Sequence, residues 1–198
     1  MTTPRHRSVS KRTRVAHHEA GHAVLSASLS DAPRLVSIVA KEGSLGRARY
    51  QMLARPQVLI QVHLAGFAAE HILKGKEPKQ FVSGLGVCTT ALEYKLVDTL
   101  GTAGSDEQLA IDEALKMGTA VDEEAIKATV TRFYDTSRES LIRVWPAVQA
   151  VAKVLLKKGE LDRDGFFEAI GSFDIYKPVR AVQMAYGLQP QGTSFCST

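Results

Sequence analysis

From Val15 to Leu29 the sequence repeats on a helical period, and the repeating stripe carries ionisable groups. Val15, His18, Glu19, His22, Ser26 and Leu29 recur at three- and four-residue steps, so one face of a helix sets two imidazoles and a carboxylate among apolar residues. Burying such groups without partners is costly. Whatever fold seats this helix must therefore supply partners for them. Asp31-Ala32-Pro33 ends the pattern, because a proline cannot continue a helix.

The segment His18-Glu19-Ala20-Gly21-His22 carries chemistry as well as a packing constraint. Residues four apart stand about 40° apart in projection and one turn along the axis, so the two imidazoles can converge on one ion. Glu19 then points beside the ion rather than at it. A metallopeptidase needs this arrangement: the metal acidifies a bound water, and a nearby carboxylate takes its proton as the water attacks a carbonyl. A catalytic zinc usually takes three protein ligands and keeps a fourth position for water. The residue types leave six candidates for the third ligand: His63, His71, Glu70, Asp106, Asp112 and Glu113. Asp106 follows Gly104-Ser105 at a helix start, a position that suits a carboxylate aimed across a bundle and equally suits a helix cap.

Around this helix the pattern predicts a mainly α fold with a small β hairpin. Leu35 to Ala40 reads as a strand, Lys41 to Ser44 as a turn and Leu45 to Met52 as the return strand. Pro56 to Leu73 reads as a second helix. A Gly-rich stretch from Phe81 to Gly86 precedes a helix expected from about Val87 to Leu100, the short loop Gly101 to Gly104, and a helix from Ser105-Asp106 to Met117. Asp122 to about Val144 is amphipathic, Pro146 opens a helix ending near Gly159, and Asp162 can cap a short one through Ile170. From Gly171 periodicity is lost. The 198 residues are thus expected to form a single domain: a basic arm (about 1–11), a zinc-site core (12–120), a helical hairpin (121–170) and a tail (171–198).

Composition narrows the setting. No apolar run approaches the length of a membrane span, nor does the start of the chain resemble a signal peptide, so a cytoplasmic protein with no membrane partner is expected. Cys88 and Cys196 are too few for a disulfide framework. The formal charge is +4, yet Arg5, Arg7, Lys11, Arg12 and Arg14 supply five positives before the first acid, Glu19, which leaves −1 for the rest. The arm lacks interleaved aromatics, and the globular part shows no basic stripe to extend it. Nucleic acid is therefore not an expected partner.

Arg14-Val15-Ala16-His17-His18-Glu19-Ala20-Gly21-His22-Ala23-Val24 resembles the peptidase domain of the FtsH-type AAA+ proteases. Pro33 to Gly46 is similar to that family's strand hairpin, Leu64 to Glu70 to its Gly-Gly-Arg-x-Ala-Glu helix, and Gly104 to Ala110 to its Ser-Asn-Asp-x-x-x-Ala segment. Tyr134, Trp145, Gly159-Glu160-Leu161 and Phe166 to Ile170 follow its closing helices, so the likeness runs from about Arg12 to Ile170. The resemblance implies a zincin-like helical bundle holding one zinc through His18, His22 and Asp106, with Glu19 as general base. It also implies an extended polypeptide substrate along the exposed edge of the Leu35 to Ala40 hairpin. Two departures stand out. Phe67 takes the place of the family's arginine, and no GxxxxGK phosphate loop occurs in the sequence.

The function expected on these grounds is that of an HExxH-type zinc metalloendopeptidase acting on unfolded or flexible polypeptides without ATP. A separate unfoldase and self-association are further partners open to it. The rival reading is a non-catalytic adaptor or scaffold that keeps the fold and the zinc but binds polypeptide without cutting it. His17, about 100° around the helix from His18, is expected to pack. His63 and His71 share a face only loosely, Glu70 suits structure or hydrogen bonding to a ligand rather than catalysis, and Trp145 and Tyr134 suit the core.

Overall fold

In the computed structural model, which describes residues 9–40, 47–49, 55–75, 106–118 and 122–189, the first helix, α1 (Lys11–Leu29), begins a turn before the apolar stripe does. Ser10 caps it, its hydroxyl accepting the Thr13 amide at 3.1 Å, and so satisfies a donor that a helix start leaves open. The last residue of the expected basic arm, Lys11, therefore belongs to α1. The second helix, α2 (Pro56–Leu73), has the bounds read from the sequence, with proline in the first turn where its missing N–H costs nothing.

Small residues bring these two helices together. Ala16, Ala20 and Ala23 of α1 and Ala65, Ala68 and Ala69 of α2 are all fully buried. A Cβ built on Gly21 would lie 2.7 Å from both the Ala65 carbonyl oxygen and the Ala69 Cβ. Only glycine admits so close a backbone approach there.

The sheet lies beyond the end of α1. β1 (Leu35–Ser37) pairs antiparallel with β2 (Arg47–Arg49), Val36 facing Ala48. The strand Leu35 to Ala40 is thus three residues long, and the predicted turn falls outside the described residues. The helix α3 (Asp106–Lys116) ends at Gly118, which adopts a φ of 68°. The Gly-rich stretch, the helix expected at Val87 to Leu100 and the two cysteines also lie outside the described residues.

The carboxyl half holds α4 (Glu123–Arg143), capped by Asp122 on the Ala125 amide at 2.8 Å, and α5 (Trp145–Lys158), closed by Gly159 at φ 82°. Next come β3 (Glu160–Asp162), α6 (Arg163–Ile170), capped by Asp162 as expected, and α7 (Tyr176–Ala185). The largest fully buried side chains include Tyr134, Phe133, Phe166, Leu25, Leu141 and Leu155. Each such residue contributes on the order of 1.5–3 kcal/mol of burial.

Two features depart from the sequence reading. β3 pairs with the far side of β1, Leu161 facing Val36, so the sheet order is β2-β1-β3. β1 is a central strand and offers no open edge to a substrate. Among the described residues the outer strands are β2 and β3. Secondly, the expected tail from Gly171 contains α7, which buries Val179, Val182 and Gln183. Its inner face includes a polar residue, held by reciprocal amide bonds with the buried Gln61 of α2 at 2.8 and 3.2 Å. Apolar periodicity therefore did not reveal it. Among the described residues no helix is long and apolar enough to cross a membrane.

Candidate metal centre

His18 and His22 sit on the face of α1 turned toward α2, and α3 brings Asp106 over them from its first residue. His18 Nε2 lies 2.9 Å from Asp106 Oδ2, His22 Nε2 lies 3.1 Å from the same oxygen, and the two Nε2 atoms are 3.0 Å apart. Among the described residues this is the group of histidine and acidic side chains whose ligand atoms converge on one point. Three of the sequence's candidates are thus brought together across 84 to 88 residues of chain.

The outer nitrogens of the two rings reveal what the inner ones need. His22 Nδ1 donates to the Val62 carbonyl oxygen at 2.7 Å, and His18 Nδ1 donates to Glu70 Oε1 at 3.1 Å. With Nδ1 committed as donor, each neutral ring presents a lone pair at Nε2. Two lone pairs and a carboxylate oxygen facing one another at about 3 Å repel unless a proton or a metal cation stands among them. Two imidazoles and one carboxylate, each oriented by an outer hydrogen bond or a helix start, suit zinc, whose N and O ligands at about 2.0–2.2 Å stand roughly 3.3 Å apart in a tetrahedron.

Charge agrees with geometry. Burial disfavours the imidazolium of His18, but its hydrogen bonds to Asp106 and Glu70 outweigh this and raise its pKa to about 10. For Asp106, burial is likewise outweighed, by His22 and His18, and its carboxyl is held far below the usual range. Glu70 also receives Lys74 Nζ at 3.0 Å and Arg14 Nε at 3.4 Å. Against burial, its bonds to His18 and Lys74 lower its pKa to about 2. The site is built to hold positive charge.

Glu19 is buried, 5% exposed, and among the described residues no hydrogen bond engages its carboxylate. Burial raises its pKa above the ordinary glutamate value, against the pull of His22 and His18. A base tuned upward in this way accepts a proton more readily than a solvated carboxylate does.

The other candidates have different occupations. His71 Nδ1 pairs with the Tyr134 hydroxyl at 2.8 Å. Asp112 accepts from Gln108 at 2.9 Å, and Glu113 pairs with Lys116 at 2.6 Å. His63 lies within the fields of Asp106 and His22, and its burial lowers its pKa. His17 stacks on Trp145, ring centroids 5.8 Å apart, and its Nδ1 donates to the Thr13 carbonyl. Phe67, standing where the resembled family has arginine, meets the His18 ring edge-on at 5.5 Å.

One contributor escaped the sequence reading. A Cβ on Gly66 would lie 2.5 Å from the Nε2 atoms of both His18 and His22, so α2 leaves room at these two nitrogens by having no side chain there. The available signal was a glycine inside an alanine-rich helix, where it costs about 1 kcal/mol against alanine and so points to close approach. The Val62 carbonyl left no such trace, since a backbone group has no sequence signature.

No family model matches the chain. It is 29% identical over 173 residues to the mitochondrial inner membrane m-AAA protease component yta12 of Schizosaccharomyces pombe, a match covering 76% of this chain and 22% of the relative. It is 28% identical over 184 residues to the mitochondrial inner membrane m-AAA protease component AFG3L1 of Mus musculus, covering 82% and 23% respectively. The chain thus spans under a quarter of the length of these curated relatives. Both are components of an AAA protease, the broader class to which the sequence resemblance points.

Proposed function

We propose that this chain is a zinc metalloendopeptidase that cuts unfolded or flexible polypeptides, holding one zinc through His18, His22 and Asp106. The observation that carries this reading is the meeting of three acceptor atoms within 3.1 Å of one another, with Glu19 buried beside two of them in sequence. Similarity to protease components supports it at the level of class.

When bound, zinc acidifies a coordinated water and polarises the substrate carbonyl. The remaining work falls to the chain. Val62 and Glu70 fix the two imidazoles in the tautomer that turns Nε2 inward. Asp106 offsets part of the dication's charge, leaving the set net positive and so favourable to a developing oxyanion. Glu19 takes the water proton and then delivers it to the departing amine. An extended substrate would add a strand to the outer edge of β2, where backbone bonds give affinity with little sequence preference.

The sequence holds no phosphate loop, so nothing in it couples cleavage to ATP. A folded domain is stabilised by roughly 5–15 kcal/mol and seldom exposes an extended segment. With added zinc, the purified chain should cut a casein-type substrate and spare a tightly folded domain of similar length. ATP should change neither rate, and a chelator should stop cleavage. Cutting that survives full removal of metal, or rapid cutting of the folded domain, would overturn the proposal.

A further inference from the structure

The basic residues near the start of the chain appear isolated in the sequence. The fold gives them company. α1 and α5 run antiparallel, His17 stacking on Trp145 at one end and Arg12 Nη2 donating to the Leu156 carbonyl at 3.1 Å at the other. This sets exposed Lys11 and Arg12 beside the exposed Lys153, Lys157 and Lys158 of α5, some 140 residues away in sequence. The three α5 lysines also line a shallow groove of about 430 Å³ with Gly165 and Glu168 of α6. Among the described residues none of the three makes an ion pair, and Glu168 is the groove's one acid. Arg5 and Arg7 precede this cluster in the sequence.

Apolar side chains are exposed at the same end of the molecule. Val9, one residue before the α1 cap, is 38% exposed, and Val39 is 43% exposed. Val39 is close to Gly159, the residue after Lys158, since a Cβ there would lie 3.3 Å from Val39 Cγ2. Cations with exposed aliphatic groups, and no aromatic among them to stack on a base, fit a lipid headgroup region better than a nucleic acid.

We propose that the start of α1 and the end of α5 form a docking face for anionic lipid bilayers, with Arg12, Lys153, Lys157 and Lys158 on headgroup phosphates and Val9 and Val39 at the acyl boundary. The proposal is independent of peptidase activity and modifies the expectation of no membrane partner. That expectation rested on the lack of a membrane-spanning apolar run, which a peripheral docking face does not need.

The test is sedimentation of the full chain with phosphatidylcholine vesicles, alone or mixed with phosphatidylglycerol. The chain should pellet only with the anionic vesicles and be released in 1 M salt, where the screening length falls to about 3 Å. Each lysine near an anionic surface counts for roughly fivefold in partitioning. The triple variant Lys153→Gln/Lys157→Gln/Lys158→Gln should therefore bind at least about tenfold more weakly, while Lys116→Gln, on α3, should bind as wild type does. Equal binding to neutral and anionic vesicles, unchanged binding by the triple variant, or capture by duplex DNA but not by vesicles would each overturn it.

Discussion

The amino and carboxyl halves of this molecule are packed by different means. Where α1 lies on α2, alanines with Gly21 and Gly66 let two backbones close until His18 and His22 reach one point, beside larger buried residues of the same helices such as Leu25, Ile60 and Leu64. In the carboxyl half the burial is carried by Phe133, Tyr134, Leu141, Leu155 and Phe166, which provide area rather than proximity. The contrast suggests a division of labour: large side chains hold the fold, and small ones place the chemistry. Stability and metal binding should then be separable by mutation.

The largest effect is expected in the carboxyl half. Phe133→Ala removes a side chain that is 2% exposed and should cost about 3–5 kcal/mol in denaturant unfolding. Zinc affinity of the protein that remains folded should be unchanged. A loss below about 1 kcal/mol would break the comparison from that side.

Gly66→Ala tests the other side. The added methyl must push both ligand rings, whose ends are movable, while alanine favours the helix by up to about 1 kcal/mol. Zinc affinity should fall by about 100-fold or more with little change in melting temperature. An unchanged affinity would mean that α2 does not shape the site.

Gln183→Ala lies between the two halves, since it takes the donor from Oε1 of Gln61, itself 1% exposed, while Gln61 Nε2 keeps the Gln57 carbonyl. It should cost about 1–3 kcal/mol, and Gln61→Leu in the same background should recover part of that. Failure of the second change to help would show that the pair is not acting as a unit.

A smaller effect separates the site's charge from its shape. Because the pKa of His18 is raised to about 10, a proton occupies the metal-free site at neutral pH and zinc must displace it. The sign follows: affinity rises with pH, by up to about tenfold per unit, between pH 7 and 10. A titration that levels off near pH 7 would remove His18 from the charged network.

How much of this was legible in the sequence depended on range. The α1 helix, its His18 and His22 pair, the bounds of α2, the start of α4 near Asp122 and the cap at Asp162 all follow from patterns within a few residues. Asp106 did not. Its place at a helix start marked it among six candidates but suited a cap equally well, because what brings it to the histidines is the placement of α3 over α1, and the family resemblance made the choice. The third strand was hidden for a related reason: Glu160–Asp162 is three residues long and is a strand only because β1 lies alongside. α7 was missed because one of its three buried positions is a glutamine whose partner sits 122 residues away. That the α5 lysines lie beside the start of α1 was also hidden, because charge along a chain does not show which helix ends meet.

The most direct test of the central claim compares zinc content and cleavage of unfolded casein in wild type and Glu19→Gln. The substitution removes the proton acceptor and leaves His18, His22 and Asp106 in place. Both proteins should bind one zinc, and the variant's turnover should fall by about 100-fold to 10,000-fold. Cleavage by Glu19→Gln at the wild-type rate, or zinc-loaded wild type that binds casein without cutting it, would contradict the account, and the second result would identify the chain as a scaffold.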